Sequence, residues 1–554
     1  MNAESAYLFR HALLRDAAYQ LQLPGDRARL HALAFAAIEE SAGGRAPEPA
    51  PLDAAEAVPF RPHSTDPFAE DLAEHARVAC LATSVDGAAL TAARKLYLRR
   101  AAEHSEGTHQ HESAERLWKQ LAELVPGANR GEALRRCGVV AHLAGRPKSA
   151  ESFLEQALAV HREVGHRRFQ GFTLGCLANL YRDSGRVQLA ERSYAQALSF
   201  LREVGDRRSE GSALGSLANL YKDTGRVELA ERSHTEALAI HRYVCNRRGE
   251  GVSVGNLANL YKDTGRVDLA EQSYSDAITI DREVGNRRSE GISLGNLSIL
   301  YRETGRVELA KQSFTEALGI HREVGDRSGE GISLGNLANL YRETGQLDLA
   351  ERSQTEALSI RREVGDRRGE GSALGSLASL YEETGRVEMA EHTYEQALAI
   401  HREEGNRRSE SITLGNLAGL YQDTGRAELS ERSYWEAISI HRGVGDRRLE
   451  GIALGNLAGL YCDAGRFELA EQNFTEAIAI HQEVRNLRFK GEHLCDYAQL
   501  LLAVGRVDEA RLAWHKGAAI LREIDDLRRL ALKTVEMQES CAMVGVSHFD
   551  EPQA

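Results

Sequence analysis

Histidines recur along this chain at a fixed interval, and the interval limits the chemistry that they can do. They are separated by 40 or 80 residues, at positions His161, His241, His321, His401, His441 and His481. If each occupies the same place in a stack of equal helical units, neighbouring imidazoles lie about 8–10 Å apart. The ligands of one zinc ion must each lie about 2.0–2.1 Å from the metal. The spacing therefore predicts no metal site.

The other residue types that carry catalysis show the same repetition. No Ser/His/Asp, Cys/His or paired-carboxylate set stands apart from it, because every candidate occurs many times. The chain has no GxxxxGK[ST] motif for binding nucleotide phosphates. Its seven cysteines are scattered without a CxxC pair, which favours a reducing compartment over a disulfide framework. We therefore predict a protein that is not an enzyme and needs no cofactor.

Asparagines offer a different chemistry, because each side chain has a hydrogen-bond donor and an acceptor and can bind the backbone of an extended peptide. They recur in two registers, one helical turn apart. The candidate peptide-binding residues are Asn179, Asn219, Asn259 and Asn339 and, one turn earlier, Asn256, Asn296, Asn336, Asn416 and Asn456. The same side chains are equally able to bond to adjacent helices, so the sequence leaves both roles open.

Glycine recurs beside these asparagines in the eight central units, at Gly175, Gly215, Gly255, Gly295, Gly335, Gly375, Gly415 and Gly455. A glycine within a helix costs about 0.5–1 kcal/mol relative to alanine. Gly251 and Gly255 lie four residues apart, on one helix face, which favours close packing of neighbouring helices. Clearance for a ligand is the second interpretation.

Charged residues recur at both ends of each unit. An acid follows a tyrosine by two positions, as at Asp223, and stands three residues before an arginine, here Arg226. We expect a solvated ion pair between the two. Arg207 and Arg208 lie among glutamates such as Glu210, and we expect them to form surface ion pairs.

All of these residues belong to one repeating element. When shifted by 40 residues the sequence aligns with itself without a gap, so that LANLYKDTGRVELAERS (217–233) returns as LANLYKDTGRVDLAEQS (257–273). Ten such frames run from Gly131 to Leu530. Nine of the ten prolines lie at or before Pro147, and the last is Pro552. Since proline inside a helix costs about 3 kcal/mol, the frames are predicted to be mostly helical.

Each frame contains two apolar stripes with helical spacing. In one frame they consist of Val254, Leu257, Ala258 and Tyr261, then Val267, Ala270, Tyr274, Ala277 and Ile278. Gly265, between them, predicts a left-handed residue that ends the first helix. Gly205 followed by Asp206 predicts a C-terminal glycine and an N-cap, and Pro147 is expected in a first helical turn. The unit is a helical hairpin that must stack on its neighbours to bury its apolar face.

These hairpins resemble the tetratricopeptide repeat family, with six extra residues per unit. The resemblance is carried by Leu257, Ala258, Tyr261, Gly265, Ala270, Tyr274 and Ala277. It implies an all-α fold, an α-solenoid of hairpins in a right-handed superhelix with the first helices on the concave side. The 40-residue variant is most similar to Pins-type adaptors and to bacterial arrays attached to signalling or protease domains.

Three frames depart from the family pattern at the aromatic position of the second helix, and in the first frame that position is Leu154. That position is His234 in one frame and Gln354 in another. We expect these two polar residues, at a half-buried position, to weaken the packing of their hairpins and to lower the local stability there.

The remaining parts of the chain divide into four segments. Residues 1–40 resemble the helical end of an ATPase module of bacterial regulators, through Phe9, His11, Asp16, Tyr19, Arg29, Leu30 and His31. Residues 41–68 hold six prolines and are predicted to form an extended linker. Residues 69–130 are predicted to form degenerate hairpins that cap the ten repeats of 131–530, with Ala114 and Trp118 in the small and aromatic positions. Residues 531–554 are predicted to form a capping helix and tail.

Composition narrows the class of function. The 554 residues include 69 Lys+Arg and 82 Asp+Glu, for a net charge of −13, which gives no electrostatic reason to expect nucleic acid or an anionic membrane as partner. No run of about 18 apolar residues occurs. We expect a cytoplasmic scaffold or sensor arm that binds a protein or peptide segment in its concave groove.

The alternative is a shortened or partial regulator of the signalling ATPase, kinase or cyclase type, whose catalytic domain is missing from this chain. RNA binding by helical repeats is disfavoured by the acidic balance and by the lack of a varied base-reading pair in each unit. The sequence makes no prediction of the oligomeric state.

Overall fold

The structure, a computed structural model, describes residues 22–52, 54, 60–81, 87–108 and 110–549. Within these residues the regular elements are all helical, and no strand occurs. Four α-helices precede the repeats, Pro24–Ser41, Ala69–Ala79, Gly87–Gly107 and His111–Leu124, together with a 3-10 turn at Asp66–Phe68. The predicted all-α class is confirmed.

Between residues 127 and 523 the chain folds into ten helical hairpins, and a last helix, Leu527–Val544, follows them. Each hairpin has a first and a second helix, and all but one of these twenty helices contain 17 residues. The pairs are Gly127–Leu143 with Pro147–Glu163, Arg167–Asp183 with Val187–Glu203, Arg207–Asp223 with Val227–Tyr243, Arg247–Asp263 with Val267–Glu283, Arg287–Glu303 with Val307–Glu323, Arg327–Glu343 with Leu347–Glu363, Arg367–Glu383 with Val387–Glu403, Arg407–Asp423 with Ala427–Val444, Arg447–Asp463 with Phe467–Glu483, and Leu487–Ala503 with Val507–Glu523.

The helices form two compact units, and the boundary in sequence falls between Asn286 and Arg287. Unit one contains the N-terminal helices and the hairpins 127–163 to 247–283. Unit two contains the hairpins 287–323 to 487–523 and the last helix. Within each unit a second helix packs on its own first helix and on the first helix of the next hairpin. The predicted solenoid of stacked hairpins is therefore confirmed.

Left-handed glycines end the helices, as predicted. Gly265 has a φ of 73° and Gly205 a φ of 68°. Asp206 then caps the following helix, because its side chain accepts a backbone hydrogen bond at 3.1 Å. The helix Pro147–Glu163 begins at its proline. Three turns keep a positive φ without a glycine, which costs backbone strain, at Cys245, Arg485 and Asp525.

A buried glutamate joins one hairpin to the next. The Glu210 side chain is 1% exposed, and its carboxylate accepts hydrogen bonds from Arg202 Nε at 2.6 Å and Arg207 Nη1 at 2.8 Å. Arg202 lies in the last turn of a second helix and Arg207 begins the next first helix, so this glutamate clamp spans the turn between hairpins. Burial alone would raise the pKa of the Glu210 carboxyl, but the two arginines outweigh it, and the pKa lies below its usual value.

The glutamate clamp recurs at other boundaries with the same two arginine positions, around Glu250, Glu330, Glu370, Glu410 and Glu450. The ion pair predicted for Arg207 is thus confirmed, although its partner is buried rather than exposed to solvent. Removing one member of a buried pair costs about 3–5 kcal/mol, because the other charge is left without compensation. The clamps therefore fix the position of each hairpin on its neighbour.

The recurring histidines belong to the core. His161 is fully buried, and neither ring nitrogen has a hydrogen-bond partner among the described residues. Its ring packs on Gly131, where an added Cβ would lie 2.4 Å from the imidazole, so glycine is required for this approach. Burial lowers the pKa of His161 to about 4, and the pKa of His481 is likewise about 4.

We expect the buried imidazoles to make the fold sensitive to mild acid. In the unfolded chain a histidine has a pKa of about 6.5, so between pH 6.5 and 4 the unfolded state binds protons that folded His161 does not. Stability is therefore lost as the pH falls through this range, by about 2 kcal/mol at pH 5 for one such residue. Urea unfolding at pH 7.5 and 5.0, followed by circular dichroism, measures the loss.

The matched variant is His161→Leu, because Leu201 occupies the equivalent position of the next hairpin. The acid-induced loss of stability should be smaller in this variant by about 2 kcal/mol. An identical loss in the variant and the parent chain would contradict this assignment.

Candidate functional site

The first helices form the inner layer of each unit. Successive first helices contact one another, as Arg167–Asp183 does with Arg207–Asp223 in unit one, and Arg407–Asp423 with Arg447–Asp463 in unit two. Successive second helices make no comparable contact within the described residues. Because the inner side of a curved stack has the shorter spacing, a ligand held by several hairpins would lie on the first helices.

One side of each first helix is left uncovered there. Its positions are those of Val252, Gly255 and Asn256 in the helix Arg247–Asp263, and we call these positions in successive first helices the first-helix strip. Large aliphatic side chains begin it, with exposed fractions of 50% for Val252, 51% for Ile292, 53% for Ile332 and 44% for Ile412. Such exposed apolar side chains can supply contact area to a ligand, but leucines such as Leu309 and Leu349 on the second helices are exposed to a similar extent, so the polar residues of the strip must distinguish it.

The predicted asparagines lie on the first helices, and the structure separates their two registers. Asn179 Oδ1 accepts a hydrogen bond from the Tyr194 hydroxyl at 2.5 Å, and Asn259 Oδ1 accepts one from Tyr274 at 2.6 Å. Each tyrosine lies on the second helix of the same hairpin, fifteen residues further along the chain. In this register the asparagine fastens the two helices of a hairpin to each other.

The residue opposite this asparagine is a tyrosine in two of the four hairpins that carry it. Asn219 and Asn339 face the positions of His234 and Gln354, which carry no phenol, and make no side-chain hydrogen bond within the described residues. Where the first helix carries Ile299, the second carries Phe314. The sequence signal that identifies the structural role is therefore this pairing at a distance of fifteen residues.

The earlier register of asparagines remains free of the fold. Its members make no hydrogen bond with other described residues; Asn256, Asn296 and Asn336 are half-buried, and Asn416 and Asn456 are exposed. Both the donor and the acceptor of each amide are available to a ligand. These five belong to the first-helix strip.

The glycines likewise divide into two registers. An added Cβ at Gly211, Gly291, Gly371 or Gly451 would lie 2.7–3.0 Å from the histidine ring of the same hairpin. By contrast, an added Cβ would meet no atom within 4 Å at the strip positions Gly175, Gly215, Gly255, Gly295 and Gly415. The packing interpretation is right for the first register and wrong at these five positions, where the helix backbone is open to a ligand.

The two polar residues at the aromatic position of the second helix are buried, whereas the sequence predicted a half-buried position. His234 is fully buried with neither ring nitrogen bonded, and Gln354 is 4% exposed. Gln354 donates one hydrogen bond from Nε2 to the carbonyl of Ala373 at 3.1 Å, while its Oε1 has no partner among the described residues.

The acids near the end of each first helix pair between hairpins. Asp223 lies 3.9 Å from Arg182 of the preceding first helix, and Asp263 lies 3.4 Å from Lys222. The expected pair between Asp223 and Arg226 is wrong, because the local arginine is engaged elsewhere.

Arg226 binds its own tyrosine and the preceding hairpin. Its guanidinium lies 4.5 Å from the centre of the Tyr221 ring and donates to Glu191 at 3.0 Å. Since Glu191 belongs to the preceding second helix, this arginine adds a second link between neighbouring hairpins.

Other candidate chemistry is limited in the part of the chain that the structure describes. No group of three or more His, Cys, Asp or Glu there has a geometry that would hold a metal ion, and the seven cysteines are all unpaired. None of the described helices is both long and apolar enough to cross a membrane. Of the ATPase-like segment, Arg29, Leu30 and His31 lie on the helix Pro24–Ser41, whereas Phe9, His11, Asp16 and Tyr19 fall outside the described residues.

Comparison with protein families gives one match, to the tetratricopeptide repeat. It covers residues 170–242, 252–323, 330–403 and 409–483. The sequence matches no curated protein.

Solved structures with similar helices include BtubC of P. vanneervenii, with 21% identity over 40% of this chain and 92% of that one, and a TM-score of 0.37. NprR of B. thuringiensis, a quorum sensor, has 14% identity over 56% of this chain and 87% of its own, with a TM-score of 0.41. Aspartyl phosphate phosphatase F of Bacillus subtilis has 11% identity over 61% and 92%, with a TM-score of 0.42. At this level the similarity concerns the helical fold alone.

The Asn–Tyr pairing predicts that one buried histidine can be replaced with a gain in stability. His234→Tyr should place a phenol against Asn219, as Tyr194 does against Asn179, and raise the free energy of unfolding by about 0.5–1.5 kcal/mol. Phe314→Tyr is the matched control. Its hydroxyl would face Ile299 and remain unbonded, so stability should fall by about 1–3 kcal/mol. Urea unfolding of both variants tests the pairing, and a shift of both in the same direction would contradict it.

Proposed function

The chain belongs to the tetratricopeptide repeat family, and from this premise we propose that it is a non-catalytic scaffold or sensor arm that binds an extended protein or peptide segment along its first-helix strip. The observation that carries the proposal is the strip itself. At Asn256, Asn296 and Asn416 an unbonded amide stands beside a glycine that leaves the helix backbone uncovered, while the Tyr-bonded asparagines and the packed glycines are used by the fold.

The chemistry of the strip suits a peptide backbone. An amide side chain can donate to a peptide carbonyl and accept from a peptide N–H, whatever side chains the peptide carries. The adjacent glycines, such as Gly255 and Gly295, allow the ligand to approach the helix, because no atom lies within 4 Å of the space that a Cβ would fill. The aliphatic residues, such as Ile292, supply apolar contact beside each amide.

The spacing of the hairpins sets the length of the ligand. Packed helices lie about 8–10 Å apart, and an extended chain advances about 3.3 Å per residue, so one hairpin addresses roughly three ligand residues. A single hydrogen bond contributes only about 0.5–1.5 kcal/mol net. Useful affinity therefore requires several hairpins acting together on one segment.

The proposal also includes the class of the partner, the location of the protein in the cell, and a binding role without catalysis. A net charge of −13 supports a protein or peptide partner over nucleic acid or an anionic membrane. The seven unpaired cysteines support a cytoplasmic location, where thiols stay reduced. The repetition of every polar feature supports a binding surface over a catalytic site, which needs one unique constellation.

We expect the triple variant Asn296→Ala, Asn336→Ala, Asn416→Ala, whose three residues all lie in unit two, to lose its partner. Three hydrogen bonds of about 0.5–1.5 kcal/mol each correspond to at least about tenfold weaker binding. Helicity should be unchanged, because none of these amides bonds to the described fold. Quantitative affinity purification with the full chain, followed by mass spectrometry, measures retention of the partner.

The control changes three polar residues on the second helices, Thr235→Ala, Thr315→Ala and Thr355→Ala, which are exposed and lie away from the strip. This variant should retain the partner at the parental level. If the asparagine variant keeps its partner while circular dichroism shows intact helices, the strip does not form the binding surface.

A further inference from the structure

One joint in unit two departs from the regular stack. It lies between the hairpins 327–363 and 367–403. The first helices of these two hairpins contact each other less than the other successive first helices of unit two do. The sequence departs at the same place. Arg361 stands where His321 and His401 stand in neighbouring hairpins, and Ser328 replaces the arginine found at Arg288 and Arg368.

The Arg361 side chain reaches further than the histidine that it replaces. Its Nη2 lies 3.4 Å from the position of a Cβ on Gly335, which belongs to the first-helix strip. Nη1 donates to the carbonyl of Gly369. Nε is buried without a hydrogen-bond partner among the described residues, and the residue forms no ion pair there. The guanidinium therefore retains donors that the fold does not use.

The electrostatic state of Arg361 differs from that of a paired buried arginine. Burial lowers the pKa of the Arg361 guanidinium, and the charge of Asp366 opposes this effect only in part. Arg135 is also buried, but its hydrogen bonds to Glu132 and their opposite charges raise its pKa above the usual value. An anion brought to Arg361 would supply the compensation that Glu132 gives to Arg135.

A second arginine at the joint also has no carboxylate partner. Arg288 pairs with Asp326 at 3.1 Å, and Arg408 with Asp446 at 3.4 Å, in each case the N-cap 38 residues further on. For Arg368 that N-cap is Asn406, which carries no charge. Arg368 is exposed and forms no ion pair with the described residues.

Both arginines line an open cavity of about 540 Å³. Arg408, Ser372 and Ser409 line it as well, and Asp366 is its one acidic lining residue. Through Ser372 and Ser409 the cavity adjoins a second one of about 300 Å³, which Arg342 lines and which extends along the strip to Asn416. The walls of the two cavities therefore carry four arginines and one carboxylate, in a chain whose net charge is −13.

We propose that this joint binds an oxyanion, a phosphoryl or carboxylate group, through Arg361 and Arg368. A planar guanidinium presents paired N–H donors that match the oxygens of such a group, and the hydroxyls of Ser372 and Ser409 line the same space. In the setting of the proposed function, on which this role for a ligand rests, the joint fixes the register of the bound segment by its one anionic side chain or its carboxyl terminus. Ile332, which also lines the cavity, would contact the adjacent ligand residue.

The test is isothermal titration calorimetry of the full chain with inorganic phosphate and, separately, with acetate, at constant ionic strength and pH 7.5. Inorganic phosphate represents a phosphoryl group and acetate a carboxylate, so the tighter of the two identifies the source of the anion. Arg361→His restores the residue found in neighbouring hairpins and should fold. We expect this variant and Arg368→Gln to bind the preferred anion at least tenfold more weakly.

The control is Arg448→Gln, because Arg448 occupies the position of Arg368 two hairpins further on, is also followed by an asparagine N-cap, Asn486, and does not line either cavity. Its anion affinity should change less than twofold. No saturable binding of either anion, or equal binding by Arg361→His with intact helicity, would overturn the proposal. Since no partner is used, this failure is distinct from failure of the asparagine variant to lose its partner.

Discussion

The glutamate clamp between hairpins is the interaction on which the rest of the geometry depends. A carboxylate such as that of Glu330 is buried at the start of a first helix and held by Arg322 and Arg327, one from each side of the turn. A buried charge pair adds little net stability, but it tolerates little displacement, because a charge left unpaired is costly. Each hairpin is therefore set on its neighbour in the same way, and the first helices of a unit present the same residues side by side.

That uniformity determines what remains for function. The fold uses four of the repeated features for its own packing. These are the buried apolar stripes, the left-handed glycines, the Tyr-bonded asparagines and the glycines packed on histidine. What is left on the inner layer is the first-helix strip of aliphatic, glycine and unbonded amide positions. In a repeat protein a weak contact made by one hairpin becomes useful when neighbouring hairpins repeat it. The joint at Arg361 adds a feature that the neighbouring hairpins do not repeat, and a single such feature can fix the register of a bound segment.

Local features of the structure were predictable from sequence, because their causes are local. Gly265 and Asp206 end and begin helices through their own backbone and side-chain preferences, and the 40-residue period determines the hairpins. The failures involve partners distant in sequence. Asp223 pairs with Arg182, not Arg226, and Glu210 is buried because two arginines enclose it. The two registers of asparagine are alike in sequence, and only the tyrosine fifteen residues away distinguishes Asn259 from Asn256.

The central claim is that a partner lies on the first helices, and site-specific photocrosslinking tests it most directly. Ile292 and Leu309 belong to one hairpin and have similar exposed fractions, 51% and 44%, but Ile292 lies on the first helix and Leu309 on the second. With benzoylphenylalanine at either position of the full chain, irradiation in cells followed by mass spectrometry identifies what is attached. The account predicts a specific crosslinked protein from position 292 and none from position 309. A specific crosslink from position 309 alone would contradict it.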